Sequence, residues 1–188
     1  MKSYKAWLNE WFDKLEEERN YLSELDQKIG DGDHGNNMAR GAEAAKESIK
    51  SIDEADLSAL LKAVAMAFMS KVGGASGPLY GSAFFAMAMS ATKTQDICEL
   101  IETGLQKIKA TGKSEAEEKT MIDVWQPALE ALKKGALTQE VLDQAQEHTK
   151  SLRATKGRAS YYGERSIGEK DPGATSSAYL FEALMHQL

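Results

Sequence analysis

Apolar residues recur every three to four positions through most of this chain, and nowhere do they alternate at the spacing of two that a half-buried strand requires. Tyr4, Trp7, Leu8, Trp11, Phe12 and Leu15 form the first stripe and predict a charged, amphipathic helix from Met1 that runs on to end at Asp26. A second helix is predicted over about 37–50. A third follows Asp56 and carries Leu57, Leu60, Leu61, Val64 and Phe68. The fourth opens at Pro78, a residue favoured in the first helical turn, and reaches about Ala91. The fifth begins near the capping residue Thr94 and turns Ile97, Leu100, Ile101, Leu105 and Ile108 inward. The sixth covers about 120–134 and stops at Gly135. The seventh starts at Thr138 with Val141, Leu142 and Ala145 inward, and the last runs from about Thr175 to the end of the chain. The third and fourth are apolar on most faces and should be the most buried, so Met66, Met69, Met87 and Met89 are read as core.

Eight helices with short connections predict an all-α fold, an up-and-down antiparallel eight-helix bundle or barrel forming a single domain over 1–188. In such a topology the connections after the first, third, fifth and seventh helices share one end. Three of them (26–37, 71–82 and 154–175) are rich in groups that bind ligands, and 109–119 joins them. Parity alone therefore assembles a composite site from four loops.

Composition narrows the partners. The chain has 188 residues, 28% charged and 42% apolar, with a net charge of -6, which leaves no footprint for nucleic acid or an anionic membrane surface. Its longest apolar runs, 63–69 and 83–89, are far shorter than a bilayer requires, and its charged start is unlike a signal peptide. The lone Cys98 excludes an internal disulfide and sits among apolar residues at helical spacing, so a cytoplasmic protein is expected.

The densest chemistry lies between Asp26 and Asn37, where Asp26, Asp31, Asp33, His34 and Asn37 are interleaved with Gly30, Gly32 and Gly35. Carboxylates this close repel one another unless a cation sits between them, and an all-oxygen set suits a hard ion such as Mg²⁺. Gly30-x-Gly32-x-x-Gly35 imitates a dinucleotide fingerprint, but no strand precedes it. Asp31-x-Asp33-x-Gly35 imitates a calcium loop, but its twelfth position is Ala42 where a glutamate is needed. A solvated Asp/Gly turn is the bland alternative. The second loop, Gly73-Gly74-Ala75-Ser76-Gly77-Pro78, runs into a helix N-terminus, where backbone N–H groups and the Ser76 hydroxyl suit a phosphate. Gly112-Lys113-Ser114 mimics the end of a P-loop without its first glycine or strand, leaving Gly112 only as a point of close backbone approach. In the fourth loop Arg158 and Arg165 suit phosphate or an internal network with Glu164 and Asp171, and Asp171-Pro172-Gly173 makes a rigid turn before the last helix. His34 is read as a phosphate donor, and His148 and His186 as solvated.

Taken together, four segments resemble the nucleotide-binding L-subunit (DhaL) family of dihydroxyacetone kinases: 24–38, 72–81, 119–127, and 156–168 with 171–177. The likeness implies an eight-helix barrel binding ADP or ATP with a pair of Mg²⁺ ions. It implies Asp26, Asp31 and Asp33 as metal ligands. It implies nucleotide contacts at His34, Asn37, Ala75, Ser76, Gly112, Met121, Arg158, Asp171, Pro172 and Gly173. Glu117-Glu118 stands where the family pattern has Gly-Asp, and Glu169-Lys170 where it often has a histidine-containing pair. The chain ends soon after its last helix with no substrate-binding K domain. This implies a separate subunit that takes a phosphoryl group from a phosphotransferase-system M subunit onto bound ADP and passes it to dihydroxyacetone on a K subunit. A homodimer is compatible with it. An ATP-exchanging subunit of a dihydroxyacetone or fatty-acid kinase, and a non-catalytic Mg-nucleotide sensor, remain as alternatives.

Overall fold

Stripes of large apolar residues on successive helices can be buried together only if the helices close around a shared axis. The computed structural model, which describes residues 3–188, closes them into a ring. The expected start of the first helix at Met1 and Lys2 lies outside the described residues. Within them the helices are α1 (Tyr4–Glu17), α2 (Arg19–Ile29), α3 (His34–Ile49), α4 (Leu57–Lys71), α5 (Ser76–Ser90), α6 (Ile97–Gly112), α7 (Ile122–Lys133), α8 (Gln139–His148) and α9 (Pro172–Gln187). Short 3-10 segments lie between α8 and α9 at Thr149–Ser151 and Arg158–Ser166, and no strand occurs among the described residues. Each helix packs on the next, and α9 returns to α1 to shut the barrel.

The centre of the barrel is aromatic. Trp11 stacks on Phe68 and Phe84 at centroid distances of 5.1 and 5.5 Å and tilts against Tyr80. Such contacts add about 0.5–1.5 kcal/mol each beyond the area they bury. Trp7 and Trp11 donate their indole N–H groups to the carbonyls of Leu180 and Ser176, at 2.9 and 3.1 Å, so the seam between the first and last helices is polar as well as packed. Across the barrel Trp125 meets Phe181 edge-on at 5.3 Å.

Several expectations change. The first predicted helix breaks at Glu18 (φ -90°, ψ 12°), and α2 then turns Leu22, Leu25 and Ile29 inward on a new line. Helices α3, α5 and α9 begin earlier than predicted, at His34, Ser76 and Pro172, because loop residues supply their first turns. The core assignment of three methionines is corrected: Met66, Met69 and Met89 are 55%, 45% and 58% exposed, and only Met87 is buried. Helices α4 and α5 are apolar outside as well as inside, so periodicity could not tell the two faces apart. The connection expected over 154–175 contains a 3-10 helix at Arg158–Ser166, kinked at Gly163 where φ is 56°. His148 and His186 are exposed, as expected, and pair with Glu117 and Glu10 on the surface. Among the described residues no helix is long and apolar enough to cross a membrane.

Candidate metal and anion site

The connections α2–α3, α4–α5, α6–α7 and α8–α9 gather at one end of the barrel around a cavity of about 400 Å³. Parity therefore predicted the right four loops. The thirteen residues that the family likeness implies as metal or nucleotide contacts all line this cavity, whereas Arg165 and Glu164 do not.

The acidic side is built by the end of α2. Asp26 lies in its last turn, and Gly30 passes so close that a Cβ there would fall 2.2 Å from Asp26 Oδ1, which only glycine avoids. The other carboxylate oxygen, Oδ2, accepts the backbone N–H groups of Asp33 (2.9 Å) and His34 (3.1 Å). Asp26 thus caps α3 from another helix while the side chain of Asp33, at the cap position, stays free of that duty. One oxygen each from Asp26, Asp31 and Asp33 lies within 4.8 Å of the others. Burial raises the Asp26 pKa, opposed by the N–H groups of His34 and Asp33 and reinforced by the charges of Asp31 and Asp33. A half-buried carboxylate with two like-charged neighbours and no thiolate in the set fits a hard divalent cation. Arg158 Nε reaches Asp31 Oδ2 at 3.0 Å from the opposite loop.

Facing the acids is the start of α5. Its cap position is Ala75, which has no side-chain acceptor, so the first-turn N–H groups are left for a ligand. A Cβ on Gly77 would strike the Val72 carbonyl at 2.1 Å, which explains the glycine that lets this turn fold so tightly. Ser76 Oγ lies 3.2 Å from His34 Nδ1, and His34 Nε2 lies 3.0 Å from Ser176 Oγ. Ser176 and Ser177 both bond the Tyr80 hydroxyl, at 2.9 and 2.7 Å, and Trp125 donates to Ser177 at 3.0 Å. Burial lowers the His34 pKa to about 4, so the ring is neutral at pH 7. The ring lines the cavity with both nitrogens already engaged by protein hydroxyls. Asn37 accepts from Arg40 and sits against Gly73.

The remaining walls come from residues 113–121 and from the Asp171 turn. Asp123 folds the first of these by accepting the N–H groups of Glu117 (2.5 Å) and Thr120 (2.8 Å). The carboxylate of Asp171 accepts from Ala174 N–H at 2.7 Å, and its own N–H donates to Thr149 Oγ1 at 3.1 Å, with Pro172 opening α9. Burial raises the Asp171 pKa to about 7, against the pull of its Ala174 hydrogen bond and of Lys119. Ile29, Leu79, Ile108 and Met121 add apolar surface to the lining of the cavity. The 3-10 segment roofs the acidic side: Tyr162 donates its hydroxyl to the Gly30 carbonyl at 3.0 Å, and Lys28 pairs with Glu169 at 2.9 Å.

Both departures from the family pattern are accommodated locally. Glu117 adopts a left-handed backbone (φ 69°), where glycine is at ease, and its carboxylate bonds His148 at 2.8 Å. Glu118 accepts from Glu115 N–H and meets Lys156 at 3.5 Å, while Lys170 pairs with Glu147 at 2.5 Å. Sequence reasoning passed over Lys119, Thr120 and Lys156, which also line the cavity. They stand in charged runs that look like ordinary surface.

With this geometry in view, comparison with known proteins is specific. A DAK2-domain family model matches residues 28–186. The chain is 51% identical over 183 residues to the PEP-dependent dihydroxyacetone kinase 1, ADP-binding subunit DhaL, of Listeria innocua, covering 95% of this chain and 92% of that protein. It is 38% identical over 195 residues to the corresponding ADP-binding subunit of Escherichia coli, covering 95% and 92%. Among solved structures it is similar to the dihydroxyacetone kinase from C. freundii in complex with AMP-PNP and Mg²⁺, with a TM-score of 0.80 and 25% identity. That alignment covers 98% of this chain, which spans about a third (33%) of that longer kinase.

Proposed function

The chain belongs to the DAK2-domain family, and on that premise we propose that it is the ADP-binding subunit of a phosphoenolpyruvate-dependent dihydroxyacetone kinase. In this role it relays a phosphoryl group from a phosphotransferase-system M subunit, through bound ADP, to dihydroxyacetone held on a K subunit. One observation carries the reading: a carboxylate triad and an uncapped helix N-terminus line a single cavity together with the apolar side chains of Leu79, Ile108 and Met121. A Mg-nucleotide has the same division into cation, phosphate and flat apolar base.

Phosphoryl transfer asks for positioning and charge neutralisation rather than covalent catalysis by the protein. Asp26, Asp31 and Asp33 would hold Mg²⁺, a pair of ions in the family pattern, and the metal would supply neutralisation of phosphate charge. The first-turn N–H groups of α5 and the Ser76 hydroxyl would orient phosphate oxygens, and the Arg158 guanidinium would add a forked donor. Gly112 and Met121, with the Asp171-Pro172-Gly173 turn, would flank base and sugar. Neutral His34 would hold Ser76 in place, while Asn37 would back the glycine loop. No group on the chain is assigned as a general base, because the acceptor hydroxyl would belong to the partner subunit.

Asp31→Ala tests this directly. The expected result is loss of ADP retention through desalting, and loss of dihydroxyacetone phosphate formation when K and M subunits and phosphoenolpyruvate are supplied. Full activity of the variant would refute the metal assignment. Nucleotide in the wild-type protein that exchanges freely with bulk ATP would favour an ATP-using kinase subunit instead.

A further inference from the structure

Backbone strain among the described residues is concentrated in the α6–α7 connection, which supplies one wall of the cavity. Among the described residues, the non-glycine residues with left-handed backbones are Lys113, Glu117 and Lys119 (φ 48°, 69° and 61°), all in the α6–α7 connection. A left-handed backbone is unfavourable for a residue with a Cβ, and such residues persist where the surrounding structure fixes them, often beside functional sites. Lys119 carries a second cost. It is only 2% exposed, and removing an ammonium from water is costly unless its donors are satisfied.

Its donors reach two separate segments. Lys119 Nζ donates to the carbonyl of Thr149, just past α8, and to the carbonyl of Glu169, two residues before Asp171. Thr149 in turn accepts the N–H of Asp171 through its hydroxyl at 3.1 Å. Asp171, Glu169 and Asp123 all lie near enough to favour the charged ammonium electrostatically. The backbone of Lys119 leads directly into Thr120 and Met121 on the cavity wall. One buried cation therefore ties together three segments distant in sequence: 113–121, the end of α8, and the approach to the Asp171 turn.

We propose that Lys119 is a positioning residue for the nucleotide, fixing the Met121 side and the Asp171-Pro172-Gly173 turn at the separation the base and sugar need. It acts through those segments and leaves the metal and phosphate side, held by α2, α3 and α5, unaffected. The proposal rests on the nucleotide reading given above. It differs from a merely structural role in what it leaves intact: the cation braces one half of the cavity, so its loss should be felt by one half of the ligand.

The test compares two probes, ADP and inorganic pyrophosphate, each titrated calorimetrically in Mg²⁺ into wild type and Lys119→Met, with helical circular dichroism as the folding control. The expected result is at least a tenfold loss of ADP affinity with pyrophosphate affinity changed less than twofold. Equal losses for both probes, or no loss for ADP, would overturn the proposal. Should Lys119→Met not fold, Lys119→Arg keeps the cation while altering its reach. A threefold or greater loss confined to ADP then supports the proposal, and equal or absent losses overturn it. If wild type binds pyrophosphate but not ADP, the nucleotide reading itself fails and takes the proposal with it.

Discussion

The hydroxyl of Tyr162 donates to the carbonyl of Gly30 at 3.0 Å, joining the roof of the cavity to the loop that presents the carboxylates. Gly30 immediately precedes Asp31 and lies against Asp26, so this bond fixes the backbone from which the metal ligands project. Arg165 stacks over the same ring at 5.5 Å and holds it in place. Tyr162→Phe keeps the packing and removes the bond, whose net contribution is about 1 kcal/mol. The expected outcome is a roughly five-fold weaker affinity for Mg-ADP, with a higher Mg²⁺ concentration needed for half-saturation and a melting temperature near wild type. Calorimetry across a Mg²⁺ series checks it, and an unchanged midpoint would remove Tyr162 from the site.

Asp171 gives a pH signature. Its folded pKa, about 7, lies above the ordinary carboxylate value of 3.8. The native state therefore holds a proton that the unfolded chain releases between those values. This contribution to stability is fully present below about pH 4 and is lost as pH rises through 7. Asp171→Asn retains an acceptor for the α9 cap and cannot ionise. Its stability relative to wild type should increase by a few kcal/mol between pH 4 and pH 7, at about 1.4 kcal/mol for each pH unit crossed. Urea unfolding at several pH values measures the difference, and a flat difference would sink the assignment. His34 acts in the opposite sense, its contribution being lost as pH falls from about 6.5 through 4, but it is common to both proteins and cancels.

Glu117 separates backbone strain from side-chain pairing. Glu117→Ala loses the His148 contact and keeps the left-handed conformation, whereas Glu117→Gly loses the same contact and relieves the strain. The glycine variant should be the more stable of the two by roughly 1 kcal/mol, about 2–4 °C in melting temperature for a chain of this size. Equal melting temperatures would mean that residue 117 is not held left-handed in solution.

The methionines divide by burial. Met87 is fully enclosed, and Met87→Ala should cost about 2–5 kcal/mol by opening a cavity. Met89, two residues along and mostly exposed, should tolerate Met89→Ala within about 0.5 kcal/mol. Paired thermal melts decide whether α5 turns as described.

Much of this was legible because the signals were dense. The period of Trp7, Leu8, Trp11, Phe12 and Leu15 could only be helical, and three carboxylates among glycines could hardly be a plain turn. Helix parity then joined loops more than a hundred residues apart. What stayed hidden depends on tertiary placement. The break at Glu18 falls in a run of good helix formers and arises from how α2 packs, not from a breaker residue. Lys119 follows two glutamates and reads as surface, since nothing local announces that a lysine will be enclosed. Met66 and Met89 sit on helices apolar all round, where hydrophobicity no longer points inward.

The seam between α1 and α9 has a consequence for how the protein matures. Trp7 bonds Leu180 across 173 residues of chain, and the Asp171 turn sits at the head of that same last helix. The carboxylates presented after α2 therefore share a closed cavity with the Asp171 turn only once α9 has docked on α1. Ligand capture would therefore report the docking of α9, and a variant lacking this helix should be unable to compete with the closed barrel for nucleotide.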